Sequence, residues 1–290
     1  SGSRGLGDVY KRQVMRSENP FNSRRMDTLP PLSSRRLTVL LFGLLLPALA
    51  VAQVQPYNAR YSFYRDGKLG GKTEVELSIS QDRWEVRSES SGTHGLARIL
   101  RARDSESTSG RLVDGRFVPY RYTRHTRVAG IDDRWVNEFD WQSDLVKVTH
   151  DGKHHYELPL QGQALDPLSM KLEMRRILGE PEPRLEFLMV DEEEIDEENF
   201  RILETEWLET SLGCLETIPV EKIRRSKTRY TRAWHATGLG LVEVKVEHGK
   251  TDGVHLEMRI AELSLDGTPV VPRAACSSMQ SSRNVIDEEP

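Results

Sequence analysis

The chain has 290 residues, of which 37% are hydrophobic, 41 are Lys or Arg, 45 are Asp or Glu and 2 are cysteines. That length and apolar content are sufficient for one domain with a proper core. The formal net charge of −4 disfavours nucleic acid and anionic membrane surfaces as partners, because both are bound through clustered Lys and Arg.

Residues 1–25 do not resemble the start of a domain. The stretch DVYKRQ reads as a translation of the end sequence used in transposase-based DNA library preparation, so residues 1–13 are interpreted as a sequencing scar. Translation is predicted to begin at Met26 or, as the alternative, at Met15.

The one strongly apolar stretch, RRLTVLLFGLLLPALAVAQ, follows at residues 35–53. Two arginines precede its apolar core and the small residues Ala50-Val51-Ala52 close it, which is the order of a secretory signal. The core is shorter than the roughly 20 residues that span a bilayer. We therefore predict a signal peptide over residues 26–52, cleavage after Ala52 and a periplasmic protein that does not span the membrane. An uncleaved anchor helix remains the alternative.

The predicted mature chain is acidic and alternates apolar with polar residues along most of its length. Residues 1–52 hold 8 of the 41 Lys/Arg and 3 of the 45 Asp/Glu, which leaves a mature formal charge of −9. TEVELSIS, residues 73–80, alternates with period two, and LVEVKVEHG does so with Glu243 on its polar face. Strands that are wet on one face are typical of antiparallel sheets.

The predicted strands are separated by turn signals. Asp-Gly pairs, which favour the positive φ of tight hairpin turns, begin at Asp66, Asp114, Asp151, Asp252 and Asp266. In VHLEMRIAELSL the apolar positions change parity, which predicts a β-bulge near Ala261. We therefore predict a mainly β domain over residues 53–267, in which a meander of hairpins forms one curved antiparallel sheet, an open half-barrel.

Two segments interrupt the strand pattern. In LDPLSMKLEMRRILGE, Asp166 suits a helix N-cap, Pro167 the first helical position and Gly179 the terminator. A second, shorter helical turn is predicted at GLARILR, residues 95–101. We expect one or two short helices packed on the concave side of the sheet. The acidic stretch at residues 191–198 lacks the pattern of a calcium loop and is interpreted as a solvated hairpin tip.

Large aromatic and aliphatic side chains recur on single faces of the predicted strands and helix. In a curved sheet, such side chains either fill a sealed core or line a groove for an apolar ligand. The candidates for lining a groove are Tyr61, Phe63, Trp84, Tyr120, Tyr122, Trp135, Phe139, Trp141, Leu168, Leu172, Trp207 and Trp234.

The mature chain lacks the common catalytic signatures, including the nucleophile elbow, the zinc-protease helix and the phosphate-binding loop. In DGKHHYE, His155 and Glu157 share a strand face and could join His125 or His150 at a metal, but we interpret this stretch as a polar strand after a turn. We therefore predict no catalytic residues, no metal site and no cofactor.

Several stretches together resemble the DUF3108 family of exported bacterial proteins. The resemblance runs from Tyr57 to Leu265, in segments that occur in the family's order: YNARYSFYRDGKLGGKTEVELS, DGRFVPYRYTR, EFDWQSDLVKV, LPLQGQALDPLSMKLEMRRIL, ETEWLETSLGCLETIPVEKIRR and AWHATGLGLVEVKVEHG. The resemblance implies no catalytic residues. It implies a fold similar to the open half-barrels of periplasmic lipoprotein carriers, which does not transfer a function.

The two cysteines leave one question open. Cys276 lies in AACSSMQSSRNVIDEEP, part of a Ser-rich segment at residues 268–290 that is predicted to be a disordered tail. Pairing with Cys214 is possible in an oxidising compartment, but it is not the favoured outcome. At the position of Cys214 the family resemblance implies a small polar residue, which argues against a family-wide disulfide.

We therefore expect a non-enzymatic periplasmic carrier or binding module for a lipid, an acyl chain or an apolar peptide segment. Two alternatives remain: a structural protein that docks another envelope protein, and a hydrolase of the cell envelope.

Overall fold

The structure, a computed structural model, describes residues 54–160, 162–191 and 194–277. The predicted leader (1–25), the predicted signal peptide (26–52) and the last part of the predicted tail (278–290) lie outside the described residues. Among the residues that are described, no helix has the length and apolar character needed to cross a membrane.

The described residues form a mainly β domain of seventeen strands, two α-helices and one 3-10 helix (Thr237–Leu239). The helices are α1 (Gly95–Ile99) and α2 (Pro167–Leu178). The strands are β1 (Tyr57–Arg65), β2 (Lys68–Ser80), β3 (Arg83–Gly92), β4 (Arg103–Val113), β5 (Arg116–Val128), β6 (Ile131–Asp140), β7 (Leu145–His150), β8 (His154–Pro159), β9 (Ala164–Leu165), β10 (Glu186–Asp191), β11 (Glu194–Ile202), β12 (Glu206–Thr210), β13 (Gly213–Lys222), β14 (Arg229–Ala236), β15 (Glu243–Lys250), β16 (His255–Leu265) and β17 (Thr268–Pro269).

The strands make one large open sheet with β1 near its middle. On one side of β1, strands β2 to β8 follow one another as antiparallel neighbours. On the other side, β1 pairs with β16, and β15, β14 and β13 follow in reverse chain order. Strand β13 pairs with both β12 and β11, β11 pairs with β10, and β10 pairs in parallel with β9. The predicted curved meander is confirmed, with a sheet that does not close into a barrel.

Local turn chemistry sets most of the hairpins as predicted. Asp66, Asp114, Asp151 and Asp266 all have φ near 50°, and the glycine after each also has positive φ. Because both central residues have positive φ, these turns match the right-handed twist of the strands they join. The fifth pair, which begins at Asp252, lies between β15 and β16 without this geometry.

The predicted bulge is also confirmed. In the pairing of β1 with β16, Arg60 lies opposite Glu262 and Tyr61 opposite Ile260, so Ala261 is the extra residue. The extra residue restores the inward facing of the apolar side chains on both sides of it, since Ile260 and Leu263 are both buried.

Helix α2 lies inside the concave face and begins and ends where the sequence predicts. The Asp166 side chain accepts hydrogen bonds from the backbone of Leu168 and Ser169, and the Ser169 side chain reciprocates in a capping box. Pro167 is the first helical residue and Gly179 is the C-cap. Local capping therefore defines where the helix begins and ends, whereas its position against the sheet depends on tertiary packing.

The core lies on both flanks of α2. Leu168 and Leu172 pack with the inward side chains of β2 to β7, and Met174 and Leu178 pack with Phe187 and the neighbouring strands. The apolar side of the predicted helix is thus buried. The helix also buries Glu173 and Arg175, two charged residues that the amphipathic pattern does not predict to be inside.

The described part of the C-terminal segment differs from the predicted disordered tail. The Arg273 and Cys214 amides donate to the carbonyls of Leu212 and Ala274, so residues 273–274 run beside the turn before β13. A Cβ at Gly213 would lie 2.3 Å from the Arg273 carbonyl oxygen, so only glycine allows this approach. Cys276 forms a disulfide with Cys214. Backbone pairing and the covalent bond together fix residues 268–277.

Candidate functional site

The concave face of the sheet encloses a cavity of about 320 Å³ beside α2. We call it the central cavity; β1 to β4, β15 and β16 form its walls, and α2 forms one side. The volume falls at the lower end of the range of roughly 300 to 1,000 Å³ that is usual for small-molecule sites. The apolar part of its lining consists of Phe63, Val75, Val86, Leu168, Leu172, Val246, Leu256 and Met258.

A second cavity of about 310 Å³, the rim cavity, lies next to α1 and is lined by Gly92, Ala97 and Val128 among others. Phe63, Thr73, Ser90 and Asp104 line both cavities, so the two adjoin. Helix α1 has no buried residue, and two of its apolar side chains, Leu96 and Ile99, are 67% and 75% exposed. The rim of the sheet next to the second cavity therefore carries exposed apolar side chains.

The α2 side of the central cavity carries an ion pair. The Lys171 Nζ lies 3.3 Å from a carboxylate oxygen of Glu243, and the Tyr61 hydroxyl donates to the Glu243 backbone carbonyl at 2.9 Å. Burial is the largest single influence on Glu243 and opposes its ionised form, but Lys171, His235 and Arg175 together hold the pKa of that carboxyl below its usual value. Glu243 in turn raises the pKa of Lys171. The pair is therefore charged and nearly neutral as a unit.

Arg175, one turn further along α2, also lines the cavity and is 3% exposed. Its Nε and Nη2 donate to the carbonyl oxygen of Gly240, at 3.2 and 2.8 Å, and its guanidinium carbon lies 4.6 Å from the ring centroid of Tyr57. Burial lowers the pKa of Arg175. Its Nη1 is buried and has no hydrogen-bond partner among the described residues.

Strand β4, which contacts α2, adds the acidic side chains Asp104 and Glu106 to the cavity wall. Burial raises the pKa of Glu106, and the neighbouring Asp104 raises it further. The Tyr122 hydroxyl donates to Glu106 at 3.1 Å, and the Arg124 Nε lies 3.8 Å from Glu106 and 3.5 Å from Asp104. This wall therefore disfavours additional negative charge.

The sequence-predicted lining residues divide into three groups. Four of them line the central cavity: Tyr61, Phe63, Leu168 and Leu172. Six pack in the core: Trp84, Tyr122, Trp135, Phe139, Trp141 and Trp234. Two are exposed by more than a third of their surface, Tyr120 at 41% and Trp207 at 48%.

Specific contacts account for three of the eight predicted residues that do not line the central cavity. Trp234 is held in the core because its indole donates to Glu206 and the Lys245 Nζ lies 4.6 Å from its ring centroid. Trp141 donates to the Pro119 carbonyl at 2.7 Å. Trp207 lies on the short strand β12, whose side chains are mostly exposed. Face periodicity alone does not distinguish these environments, because it only specifies the side of a strand.

Sequence reasoning missed Lys171, Arg175 and Glu243 as cavity residues. Strict alternation places Glu243 on the polar outer face. Trp234 pairs with Lys245 and His235 pairs with Glu243, so Val244 is an extra residue and alternation does not hold there. The signal available in the sequence was the charged pair at positions 171 and 175, one turn apart on a helix expected to be buried.

Residues 56–259 match the model of a family described as "Protein of unknown function (DUF3108)". No curated protein matches the chain. A β-barrel-like protein of the domain of unknown function DUF1849 from Brucella abortus has a TM-score of 0.52 and 11% identity, over 74% of this chain and 100% of that one. A candidate lipoprotein from Parabacteroides distasonis has a TM-score of 0.28 and 10% identity, over 73% and 96% of the two chains. The first likeness shows a shared fold; the second score is too low to bear on it.

Proposed function

Because the chain belongs to the DUF3108 family, whose function is not known, we propose a function from the site itself: a non-enzymatic binding protein or carrier for an apolar ligand in the bacterial envelope. The observation that carries this proposal is the central cavity between α2 and the concave face, lined by apolar side chains from five strands and the helix. A cavity of this size with a few convergent polar groups is the usual form of a small-molecule site.

The arrangement of hydroxyl groups favours binding over hydrolysis. A serine or threonine nucleophile needs a general base within hydrogen-bond reach. In the central cavity the hydroxyls of Thr73 and Ser90 lie 2.9 Å from each other, and His248 is bonded to Thr231 at 2.7 Å. These groups are arranged to satisfy one another, which suits the wall of a binding site.

The route of entry in this proposal passes through the rim cavity. An acyl chain that enters beside α1 passes Phe63 and reaches the central cavity, because the two cavities adjoin there. The exposed Leu96 and Ile99 extend that surface outward. If this rim contacts the membrane or protein that delivers the ligand, the acyl chain of the ligand can transfer without exposure to water.

Two independent features support the placement in the envelope. The predicted secretory signal at residues 26–52 directs export. The disulfide between Cys214 and Cys276 is of the kind that persists in oxidising compartments such as the periplasm and is rare in the cytosol.

A blocked cavity tests the proposal. The mature protein is expressed with its signal, isolated from the periplasm and extracted for lipid mass spectrometry, and its affinity for a fluorescent fatty acid is then measured. Val246→Trp fills the central cavity, and Val113→Trp makes the same change at a position that is 46% exposed. We expect the wild type and Val113→Trp to bind and Val246→Trp to lose binding at least tenfold. Equal binding by the two variants, or no binding by the wild type, would overturn the proposal.

A further inference from the structure

Arg175 is a buried cation that the protein leaves partly unsatisfied. The carboxylate that acts most on its charge, Glu243, forms its ion pair with Lys171 instead. Among the described residues Arg175 has no ion-pair partner; the Tyr57 side chain interacts with its guanidinium, but its Nη1 is buried without a hydrogen-bond acceptor. A buried charge of this kind is costly, so proteins normally give it a carboxylate and a full set of hydrogen bonds.

A structural role explains only part of this arrangement. The two bonds to the Gly240 carbonyl fix the turn between β14 and β15, and one neutral donor could make either of them. They do not use Nη1, and they do not require a permanent charge. Arginine keeps its charge even when burial disfavours it, so the guanidinium remains positive within the cavity wall.

We propose that the central cavity binds an amphiphile with a single anionic head group, a long-chain fatty acid, whose carboxylate accepts from Arg175 Nη1 while its acyl chain lies along Phe63, Leu172 and Met258. This inference rests on the proposed function and specifies its ligand class. A carboxylate is the natural complement of a guanidinium, and a charge-assisted bond in an enclosed site is stronger than a neutral one.

The rest of the cavity limits the head group to one negative charge. Lys171 is already neutralised by Glu243, which leaves Arg175 as the one uncompensated cation of the α2 side among the residues described. Asp104 and Glu106 of β4 also line the cavity and disfavour a second negative charge there. A dianionic phosphate is therefore disfavoured relative to a carboxylate.

Comparing lauric acid with lauryl alcohol tests the inference separately from the proposed function. Both probes have the same chain, so calorimetric titration of the delipidated wild-type protein isolates the head group. From the strength of a charge-assisted bond we expect the acid to bind about tenfold to a hundredfold more tightly. Binding of neither probe contradicts the proposed function; equal binding of both leaves that function intact and overturns the inference.

Two variants identify the group responsible. Arg175→Gln keeps a donor for the Gly240 carbonyl and removes the charge, and it should bring the acid-to-alcohol affinity ratio close to one. Arg176→Gln is the matched control, because Arg176 is the next residue of α2 and pairs with Glu173 and Glu180 outside the central cavity. It should keep the wild-type ratio. A ratio that survives in Arg175→Gln overturns the assignment.

A measurement on the wild type covers the case in which Arg175→Gln does not fold. Carboxyl-labelled lauric acid is titrated in the bound state by carbon NMR. Near Arg175 its pKa should lie below the value in water, as the pKa of Glu243 does beside Lys171 despite burial. A bound carboxyl whose pKa equals or exceeds the value in water overturns the inference, because burial without a cation raises it.

Discussion

Removal of the disulfide tests how the C-terminal segment contributes to the fold. Cys214 and Cys276 are 62 residues apart in the chain, and the bridge ties residues 268–277 to the start of β13. The change is the double substitution Cys214→Ser and Cys276→Ser, because either single substitution would leave a reactive thiol.

The expected loss follows from the length of the closed loop. Opening a loop of about 60 residues restores conformational entropy to the unfolded chain, equivalent to about 4 kcal/mol at room temperature. Beyond β17, the Val270, Arg273 and Cys276 amides donate to Leu263, Leu212 and Glu209, and Ala274 accepts from Cys214. Without the bridge, the C-terminal segment can also detach in the native state. The native state then gains conformational entropy as well, which offsets part of the entropy gained by the unfolded chain. We therefore expect the double variant to be destabilised by about 2 to 4 kcal/mol.

Urea unfolding followed by tryptophan fluorescence measures the difference. A reducing agent should shift the wild-type midpoint to that of the double variant and leave the variant unchanged. The reasoning fails if the reduced and oxidised wild-type proteins unfold at the same urea concentration, since the bridge would then close no loop that matters to folding.

Three further perturbations test the helix, the core and the charge of a buried histidine. Asp166→Ala removes the α2 N-cap and leaves the Thr108 hydroxyl without its acceptor, so we expect a loss of about 2 to 4 kcal/mol in urea unfolding. Leu172→Ala should cost about 2 to 5 kcal/mol because Leu172 is 1% exposed, whereas Ile202→Ala, at a position 37% exposed, should cost less than about 1 kcal/mol; similar losses would contradict the packing described. Burial lowers the pKa of His235, so the unfolded chain takes up a proton first as the pH falls below about 6.5, and stability should decrease there. His235→Gln should flatten that slope in urea unfolding at a series of pH values, and an unchanged slope would exclude His235 as its source.

Helix α2 has two roles that constrain each other. Leu168 and Leu172 complete the core, while Lys171 and Arg175 on the same helix add charge to the wall of the central cavity. A helix with a continuous apolar stripe would fill the concave face and leave no site. Arg175 is therefore best explained by the cavity rather than by stability, because a buried cation costs free energy that an apolar residue would not.

The position of Glu243 shows where reasoning from the sequence stops. Alternation predicts it outside, and a single extra residue in β15 breaks that alternation. The bulge depends on how β14 and β15 pair, which no short stretch of sequence specifies. The aromatic candidates show the same limit. Periodicity predicts Tyr61 and Trp135 equally well as lining residues, but Tyr61 lines the central cavity and Trp135 packs in the core.

The local structure could be predicted from the sequence alone: alternating strands, four Asp-Gly hairpins, the bulge at Ala261 and both ends of α2. Each of these depends on backbone dihedrals and hydrogen bonds among residues only a few positions apart. Three features could not be predicted in this way: the pairing of β1 with β16, the disulfide between Cys276 and Cys214, and the position of Arg175 in a cavity wall. These features join parts of the chain that are distant in sequence. They are stabilised by packing, which the residues adjacent in sequence do not specify.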